Sequence, residues 1–215
     1  MAKVAKPQSY YDEIKQKFAE ERDLRLKYRP EGTKQFTSDL SGDLAKYATD
    51  AHAEEIKPRE PLNDTVECLF IGGGFSALLT SARLREKGVE SIRIVERGSD
   101  VGGTWYWNRY PGAACDVVSY DYLPLLDEMD YIPKDRYSKA PEIFAHCQAI
   151  AERYNLYELG VFQTTVTSTV WNEEEQMWHI GTDRGDHMKA KRCSAWMVFG
   201  CMHEGAATVR PRSPF

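Results

Sequence analysis

The clearest pattern of apolar and polar positions in the chain is two short apolar runs separated by a glycine-rich turn and a helix-like repeat. Val66–Ile71 is mostly apolar and predicts a buried strand, and Ile92–Val95 predicts a second strand that ends at Glu96. Between them, Ser76–Lys87 spaces its apolar residues as a helix does, and Gly88 is a typical helix stop. Strand, turn, helix and strand in this order form a βαβ unit, which predicts a parallel sheet.

The pattern further along the chain predicts one more helix and three more strands. Pro141–Tyr154 is amphipathic, and its proline suits the first turn of a helix. Phe162–Trp171 and Met177–Thr182 predict a β-hairpin around an acidic turn, and Ala195–Phe199 predicts a last apolar strand. Together these elements predict an α/β fold, a Rossmann-like parallel sheet with a β-hairpin excursion and an N-terminal helical extension.

The N-terminal part of the chain is charged and differs from the rest. Tyr10–Tyr28 has no glycine or proline and predicts a surface helix, and Leu40–Ala53 predicts a second, short one. The prolines of Lys57–Pro61 break regular structure and predict a linker. We expect this arm to be a solvated packing extension. The predicted divisions are a helical extension with its linker at 1–62, an α/β domain at 63–200 and an irregular tail at 201–215.

Charge and cysteine usage exclude several classes of function. The 215 residues carry a formal net charge of -5 and no dense basic run, so we expect no nucleic-acid partner. No apolar run approaches the roughly 18 residues that span a bilayer, so we expect no membrane partner. The five cysteines are scattered without a C-x-x-C pair, which argues against a disulfide framework or a zinc site. Reduced thiols indicate a cytoplasmic protein, and the histidines show no metal-binding spacing.

The turn of the βαβ unit has the pattern G-x-G-x-x-A over residues 72–77. Gly72 permits the sharp turn, Gly74 lets a pyrophosphate approach the backbone, and Ala77 lets the helix lie close to the strand. The helix N-terminus offers free N–H groups to the anion. Glu96 ends the next strand, where a carboxylate accepts hydrogen bonds from the ribose hydroxyls and repels a 2′-phosphate. The loop therefore predicts a site for FAD or NAD rather than NADP; the alternative is a glycine turn in an unrelated α/β protein.

The segment after Glu96 separates FAD from NAD by resemblance. It reads Val101-Gly102-Gly103-Thr104-Trp105 and continues Tyr106-Trp107-Asn108-Arg109-Tyr110-Pro111-Gly112-Ala113-Ala114-Cys115-Asp116. This stretch resembles the Baeyer–Villiger monooxygenases, a family of flavoprotein monooxygenases, and the chain is similar to that family from about residue 10 to residue 199. The arm, with its Arg29-Pro30 step, is similar to the branch that acts on larger cyclic and polycyclic ketones. The resemblance implies bound FAD, NADPH as co-substrate and a ketone substrate, which gains one oxygen atom to give an ester or lactone.

The resemblance also implies roles for individual residues. Asp116 is the expected catalytic residue, because the family's aspartate pairs with a distant arginine and helps hold it over the flavin. That cation offsets negative charge that develops on oxygen. For the aromatic residues of the segment the alternative is ordinary core packing, and for Asp116 it is an N-cap or turn acid. Cys115 is expected to be a buried packing residue. The expected cofactor contacts are Gly72, Gly74, Phe75, Ser76, Ala77, Glu96, Arg97, Gly102, Gly103, Thr104, Trp105, Asp116 and Tyr122.

The resemblance covers only the N-terminal, FAD-binding half of a family fold that has two dinucleotide domains. Family members continue with a second dinucleotide motif, for NADPH, and with the fingerprint Phe-x-Gly-x-x-x-His-x-x-x-Trp, neither of which occurs in the 215 residues. We therefore expect these residues alone not to complete the reaction. Two alternatives stay open. One is a non-catalytic FAD-binding or interaction protein derived from such an enzyme, and the other is an NAD-dependent dehydrogenase, which the segment from Gly102 to Asp116 disfavours.

Overall fold

The computed structural model describes residues 7–28, 49–53, 55–56 and 58–195. The chain divides into two compact units, residues 1–41 and 42–215. In the first unit the described element is helix α1 (Gln8–Tyr28), none of whose residues is buried. Side chains four residues apart, such as Gln8 and Asp12 (3.1 Å), are hydrogen-bonded along its surface, which stabilises an exposed helix. The predicted charged helix is therefore confirmed, with its start at Gln8 rather than Tyr10.

The second unit contains the predicted βαβ unit, followed by short helices and a β-meander. Its helices are α2 (Phe75–Glu86), α3 (Thr104–Trp107), α4 (Ser119–Tyr122), α5 (Leu126–Met129) and α6 (Ala140–Arg153), and a 3-10 turn lies at Tyr157–Leu159. Its strands are β1 (Thr65–Ile71), β2 (Ile92–Val95), β3 (Gly160–Val161), β4 (Val166–Asn172), β5 (Met177–Thr182) and β6 (His187–Ala195). In the described part of the chain, no helix has both the length and the apolar character needed to cross a membrane.

The strands form one mixed sheet in the order β3-β2-β1-β6-β5-β4. β1 pairs in parallel with β2 on one side and with β6 on the other, and β2 pairs in parallel with β3. β5 is antiparallel to both of its neighbours, β6 and β4. The predicted parallel sheet is confirmed for β3, β2, β1 and β6. The carboxyl ends of β1 and β2 lie side by side, at the edge where open α/β sheets bind their ligands.

Helices α2 and α6 cover one face of the parallel strands. Phe70 of β1, Ile94 of β2, Leu78 of α2 and Ile150 of α6 belong to one buried cluster. Leu78, Ile94 and Ile150 are 0% exposed, and burying each side chain of this kind contributes about 1.5–3 kcal/mol. This packing holds the start of α2 at the carboxyl ends of β1 and β2.

The β-hairpin differs from its prediction in its start. β4 begins at Val166 rather than Phe162, because the residues before it pair with the loop after β2. Gln163 and Thr164 donate their N–H groups to backbone carbonyls of that loop, at 2.9 and 3.0 Å. β5 has the predicted bounds. The predicted hairpin excursion is confirmed, and β6 joins it to β1 within one sheet.

The last described strand, β6, lies at His187–Ala195 and meets the predicted last strand at Ala195–Phe199 only at Ala195. Residues 196–199, and the tail at 201–215, lie outside the described residues. Met188 and Ala190 of β6 are buried, at 1% and 0% exposure. They alternate with Lys189 and Lys191, so the two-residue alternation of a strand is present in the sequence but extends over only a few residues.

The segment before β1 is turned rather than helical. The predicted helix at Leu40–Ala53 is wrong for residues 49–53, where the Asp50 carboxylate accepts the N–H of His52 (2.9 Å) and closes a turn; residues 40–48 lie outside the described residues. Residues 58–61 form neither helix nor strand, as the prolines predict. The guanidinium of Arg59 makes two 2.6 Å hydrogen bonds to the buried carboxylate of Asp186, which ties this segment to the start of β6.

Candidate functional site

The glycine-rich loop leaves the N-terminus of α2 open. Gly72 has a φ of 101°, a backbone conformation that favours glycine, and it turns the chain out of β1. The first helical hydrogen bond of α2 runs from the Leu78 N–H to the Gly74 carbonyl (3.1 Å), and no side chain in the described part of the chain caps the helix. The N–H groups of Phe75, Ser76 and Ala77 therefore lie before the helical hydrogen-bond pattern, at the positive end of the helix dipole.

The predicted aromatic loop packs directly against this glycine-rich loop. The Gly102 N–H donates to the Gly73 carbonyl (2.9 Å). A Cβ on Gly103 would lie 2.8 Å from the Gly74 Cα, and a Cβ on Gly74 would lie 3.5 Å from the Gly103 Cα. Gly74 itself has an ordinary extended conformation. The missing side chain of Gly103 is therefore what allows the two loops to approach this closely, a contact that the sequence did not indicate.

Glu96 follows β2 directly and is buried, at 5% exposure. Its two carboxylate oxygens accept backbone N–H groups on opposite sides, Oε2 from Gly73 (2.5 Å) and Oε1 from Gly98 (2.6 Å). Burial raises the pKa of Glu96, while these two hydrogen bonds and the charge of Arg97 act in the opposite direction. Because a carboxylate oxygen has two lone pairs, each oxygen keeps acceptor capacity for a ligand hydroxyl.

Three of the predicted contact residues form an aromatic cluster beside the loop. The Trp105 indole N–H donates to the Tyr122 hydroxyl oxygen (3.0 Å), and their ring centroids are 5.8 Å apart. The Phe75 ring lies 5.5 Å from the Tyr122 ring. Burial raises the pKa of Tyr122, so its hydroxyl stays protonated at neutral pH. The cluster brings the first residue of α2 together with α3 and α4.

Asp116 lies in a well-anchored turn with its side chain exposed. The Cys115 N–H donates to the Ser138 carbonyl (2.9 Å), and the Cys115 sulfur accepts the Val117 N–H (3.3 Å). Among the described residues, Asp116 has no hydrogen-bond or ion-pair partner. The backbone is fixed while the carboxylate stays open to a cation from elsewhere.

The remaining predicted residues are at the margin of the site. Thr104 is exposed at the start of α3, and the guanidinium of Arg97 lies 5.4 Å from the Trp107 ring centroid. The alternative of core packing is correct for Tyr106, which is 1% exposed, and wrong for Tyr110, which is 64% exposed. Cys115 is buried, as expected.

Among the described residues, the structure shows neither a reactive cysteine nor a metal-binding cluster outside this site. Cys68, Cys115 and Cys147 are buried, Cys193 is half-buried, and all are unpaired. Burial raises the pKa of Cys147 to about 12, so this thiol is protonated and unreactive. Over the same residues, no group of three or more histidine, cysteine or acidic side chains is arranged to hold a metal ion.

Sequence reasoning missed two residues that contact the site's loops. Asp50 accepts a hydrogen bond from the Tyr106 hydroxyl (2.5 Å), and Ser99 donates its N–H to the same hydroxyl oxygen (3.0 Å). Tyr106 belongs to the aromatic motif, but no local pattern connects it with Asp50 in the charged arm. Only the fold brings the two together.

Comparison with known proteins gives matches over this same region. The NAD(P)-binding Rossmann-like domain matches residues 71–125. Pentalenolactone D synthase of Streptomyces arenae is 48% identical over 94% of this chain, which covers 32% of that protein. A Baeyer–Villiger monooxygenase of Streptomyces coelicolor is 43% identical over 82% of this chain and 29% of its own length.

A solved structure agrees in fold. The polycyclic ketone monooxygenase from the thermophilic fungus Thermothelomyces thermophila superimposes with a TM-score of 0.70 at 31% identity, over 77% of this chain and 29% of that one. The chain spans about a third of the length of the relatives that it matches.

Proposed function

We infer that this chain, which belongs to the Baeyer–Villiger monooxygenase family, binds FAD at the carboxyl ends of β1 and β2. The observation that carries the inference is the meeting of three features at one place. They are the open N-terminus of α2, the backbone of Gly103 and the carboxylate of Glu96. They provide the three things that a dinucleotide requires: a binding site for the pyrophosphate anion, clearance along the backbone and an acceptor for the ribose hydroxyls.

The pyrophosphate is assigned to the open helix end. The free N–H groups of Phe75, Ser76 and Ala77 donate to phosphate oxygens, and the helix dipole favours the negative charge. Gly103 lies against Gly74 with no side chain on either residue. The cofactor therefore meets backbone on both sides of this position.

The adenosine ribose is assigned to Glu96. Its carboxylate is held by two backbone N–H groups and keeps lone pairs for the ribose hydroxyls. A 2′-phosphate at the same position would meet this buried carboxylate at close range, which disfavours NADP in this site.

The flavin is assigned to the side of the site where Phe75, Trp105 and Tyr122 cluster. FAD supplies the redox chemistry of the family when it is bound. Trp105 and Tyr122 orient each other by their hydrogen bond, so they offer a fixed wall to a flat ring. The Asp116 carboxylate is exposed. We propose that it pairs with an arginine from the part of the family fold that does not correspond to this chain.

The reaction proposed for the whole protein is that of the family. One oxygen atom of O2 is inserted into a ketone to give an ester or lactone, with NADPH as the reductant. The chain's contribution is to bind and orient FAD and to present Asp116. The ketone-binding and NADPH-binding groups are expected from residues beyond those that correspond to this chain.

The test is retention of flavin by the purified chain after incubation with FAD and desalting. Gly72→Ala and Gly88→Ala are a matched pair, because both glycines have positive φ (101° and 79°) and open space where a Cβ would be placed. Each alanine pays the same kind of backbone cost, about 1–2 kcal/mol, but only Gly72 shapes the phosphate loop. We expect Gly72→Ala to lose most of the flavin and Gly88→Ala to keep it.

Two results would contradict the assignment. Equal retention by the two variants would show that the loop does not hold the cofactor. Retention of NAD in place of FAD would favour a dehydrogenase.

A further inference from the structure

Tyr106 connects the cofactor loop to the segment at residues 49–53, which precedes β1 in the sequence. Its side chain is 1% exposed, and its hydroxyl donates to Asp50 Oδ2 (2.5 Å) while accepting the Ser99 N–H (3.0 Å). The backbone N–H of Tyr106 donates to the Gly103 carbonyl (3.0 Å). One residue thus joins Asp50 to the glycine that faces the phosphate loop.

The Asp50 carboxylate is built into this position by several donors. Oδ1 accepts the His52 N–H (2.9 Å), and Oδ2 lies 3.3 Å from the Ser99 nitrogen and 3.4 Å from the Ser99 Oγ. Burial acts to raise the pKa of Asp50, but the hydrogen bonds from Tyr106, His52 and Ser99 outweigh it and lower the pKa. Asp50 is therefore ionised, and its hydrogen bond with Tyr106 is charge-assisted.

A continuous set of contacts leads from Tyr106 to the phosphate loop. The Tyr106 ring lies so close to Gly98 that a Cβ there would be 2.7 Å from the Tyr106 Cε1. The Gly98 N–H donates to Glu96 Oε1, and Glu96 Oε2 accepts the Gly73 N–H. A shift of the Tyr106 ring would therefore move Gly98 and, through it, the carboxylate assigned to the ribose.

The Tyr106 ring is also packed against Arg109. The guanidinium of Arg109 lies 4.5 Å from the Tyr106 ring centroid and 4.6 Å from that of Phe144. Arg109 Nε also donates to the Tyr106 carbonyl (2.8 Å). With its ring in contact with Gly98 and Arg109, the remaining freedom of Tyr106 is set by the two partners of its hydroxyl, Asp50 and Ser99. Asp50 is the one of these partners that accepts the hydroxyl proton.

We propose that Asp50 is a positioning residue for the cofactor: through Tyr106 it holds Gly98, Glu96 and Gly103 in the arrangement that binds FAD. This inference rests on the proposed function. It makes the segment at residues 49–53 part of the cofactor site, although no residue of that segment is assigned a contact with the cofactor.

The test is FAD affinity, measured by flavin fluorescence titration, for Asp50→Asn, Tyr106→Phe and the double variant. Tyr106→Phe keeps the ring that packs on Gly98 and removes only the hydroxyl. We expect each single variant to weaken FAD binding about tenfold, the effect of losing one charge-assisted hydrogen bond. We expect the double variant to be no weaker than the singles, because both changes break the same connection.

The matched control is Asp64→Asn, which removes a carboxylate hydrogen-bonded to Arg93 (2.5 Å) just before β1, on a contact that does not lead to the loop. Its melting midpoint without FAD should fall, with FAD affinity unchanged. A purely structural role for Asp50 would give that same pattern, a lower midpoint with affinity within about twofold of the unsubstituted chain, and would overturn the proposal. If the unsubstituted chain itself does not bind FAD, the proposed function fails and this inference fails with it.

Discussion

Gly74 and Gly103 face each other so closely that a Cβ on Gly103 would lie 2.8 Å from the Gly74 Cα. Gly103 therefore cannot accept a side chain without displacing the backbone of Gly74, whereas a Cβ on Gly74 would make an ordinary contact 3.5 Å from the Gly103 Cα. Gly103 also has a φ of 53° with a ψ of −116°, a combination that side chains strongly disfavour. The two glycines therefore define the backbone surface against which a pyrophosphate would lie.

Gly103→Ala should abolish flavin retention, because its Cβ pushes the backbone of Gly74 away from the open end of α2. Gly112→Ala is the control, since Gly112 has a positive φ (85°) and open space around its Cβ position. The measurement is flavin bound per chain after desalting, with circular dichroism to confirm that both variants fold. If the two variants hold flavin equally well, the Gly74–Gly103 contact does not matter for binding.

Glu96→Gln should weaken the binding of both FAD and ADP by about 1–3 kcal/mol, the range for a buried group left without its partner. The glutamine oxygen can still accept one backbone N–H, but its NH2 group would face the other donor. Glu142→Gln is the control, because Glu142 also accepts a backbone N–H (from Lys134, 2.9 Å) but on α6, in a different contact. Calorimetric titration with the two ligands measures the effect. A loss for FAD alone would mean that Glu96 does not hold the adenosine ribose.

Asp186→Asn should lower the free energy of unfolding by about 3 kcal/mol, because it leaves Arg59 without its buried partner. The Arg59 guanidinium, outweighing burial, holds the pKa of Asp186 well below its ordinary value of 3.8. A carboxylate with a lowered folded-state pKa stabilises the fold above its unfolded-state pKa and loses that contribution as the pH falls toward the folded-state value. Urea unfolding should therefore show a constant difference from the unsubstituted chain near neutral pH and a shrinking one below about pH 4. A difference that grows in acid would contradict this.

Asp116→Asn and Tyr122→Phe should differ in their effect on the free energy of unfolding, because only Tyr122 is hydrogen-bonded within the described residues. Asp116 is exposed and has no partner among the described residues, so its substitution should change the free energy of unfolding by less than about 0.5 kcal/mol. Tyr122→Phe removes the acceptor of the Trp105 indole N–H, which should cost about 1–3 kcal/mol. Chemical denaturation measures both. A large loss for Asp116→Asn would reveal a structural role and weaken its assignment as the family's catalytic aspartate.

The sequence predicted what depends on local pattern. The βαβ unit, the phosphate loop and the place of Glu96 follow from residues close together in the chain, since their geometry is set by neighbouring backbone. The bounds of β5 are likewise confirmed, because its pattern is bounded by turn residues.

Features set by long-range pairing were not predictable in the same way. Gly103 must lack a side chain because it lies against the Gly74 backbone. The partner of Tyr106 is Asp50, in a segment that the charge pattern assigned to a helix. β6 was not predicted from the sequence, because lysines alternate with its buried residues. Its strand character comes from pairing with β1. In each case the residue that explains the feature is distant in sequence, so no short segment of the chain is enough to predict it.

The placement of β6 beside β1 also sets an order of folding. β1, α2 and β2 can assemble from a continuous stretch, whereas β6 and the Arg59–Asp186 pair, which joins residues 127 positions apart, must await the later part of the chain. Closing so long a loop carries an entropic cost before any contact offsets it, which slows this step relative to local assembly. During synthesis, the nucleotide-binding unit would then exist with one side of β1 unpaired. A ligand captured at that stage would act as a folding aid for the strands still to come, since binding stabilises whichever state it selects.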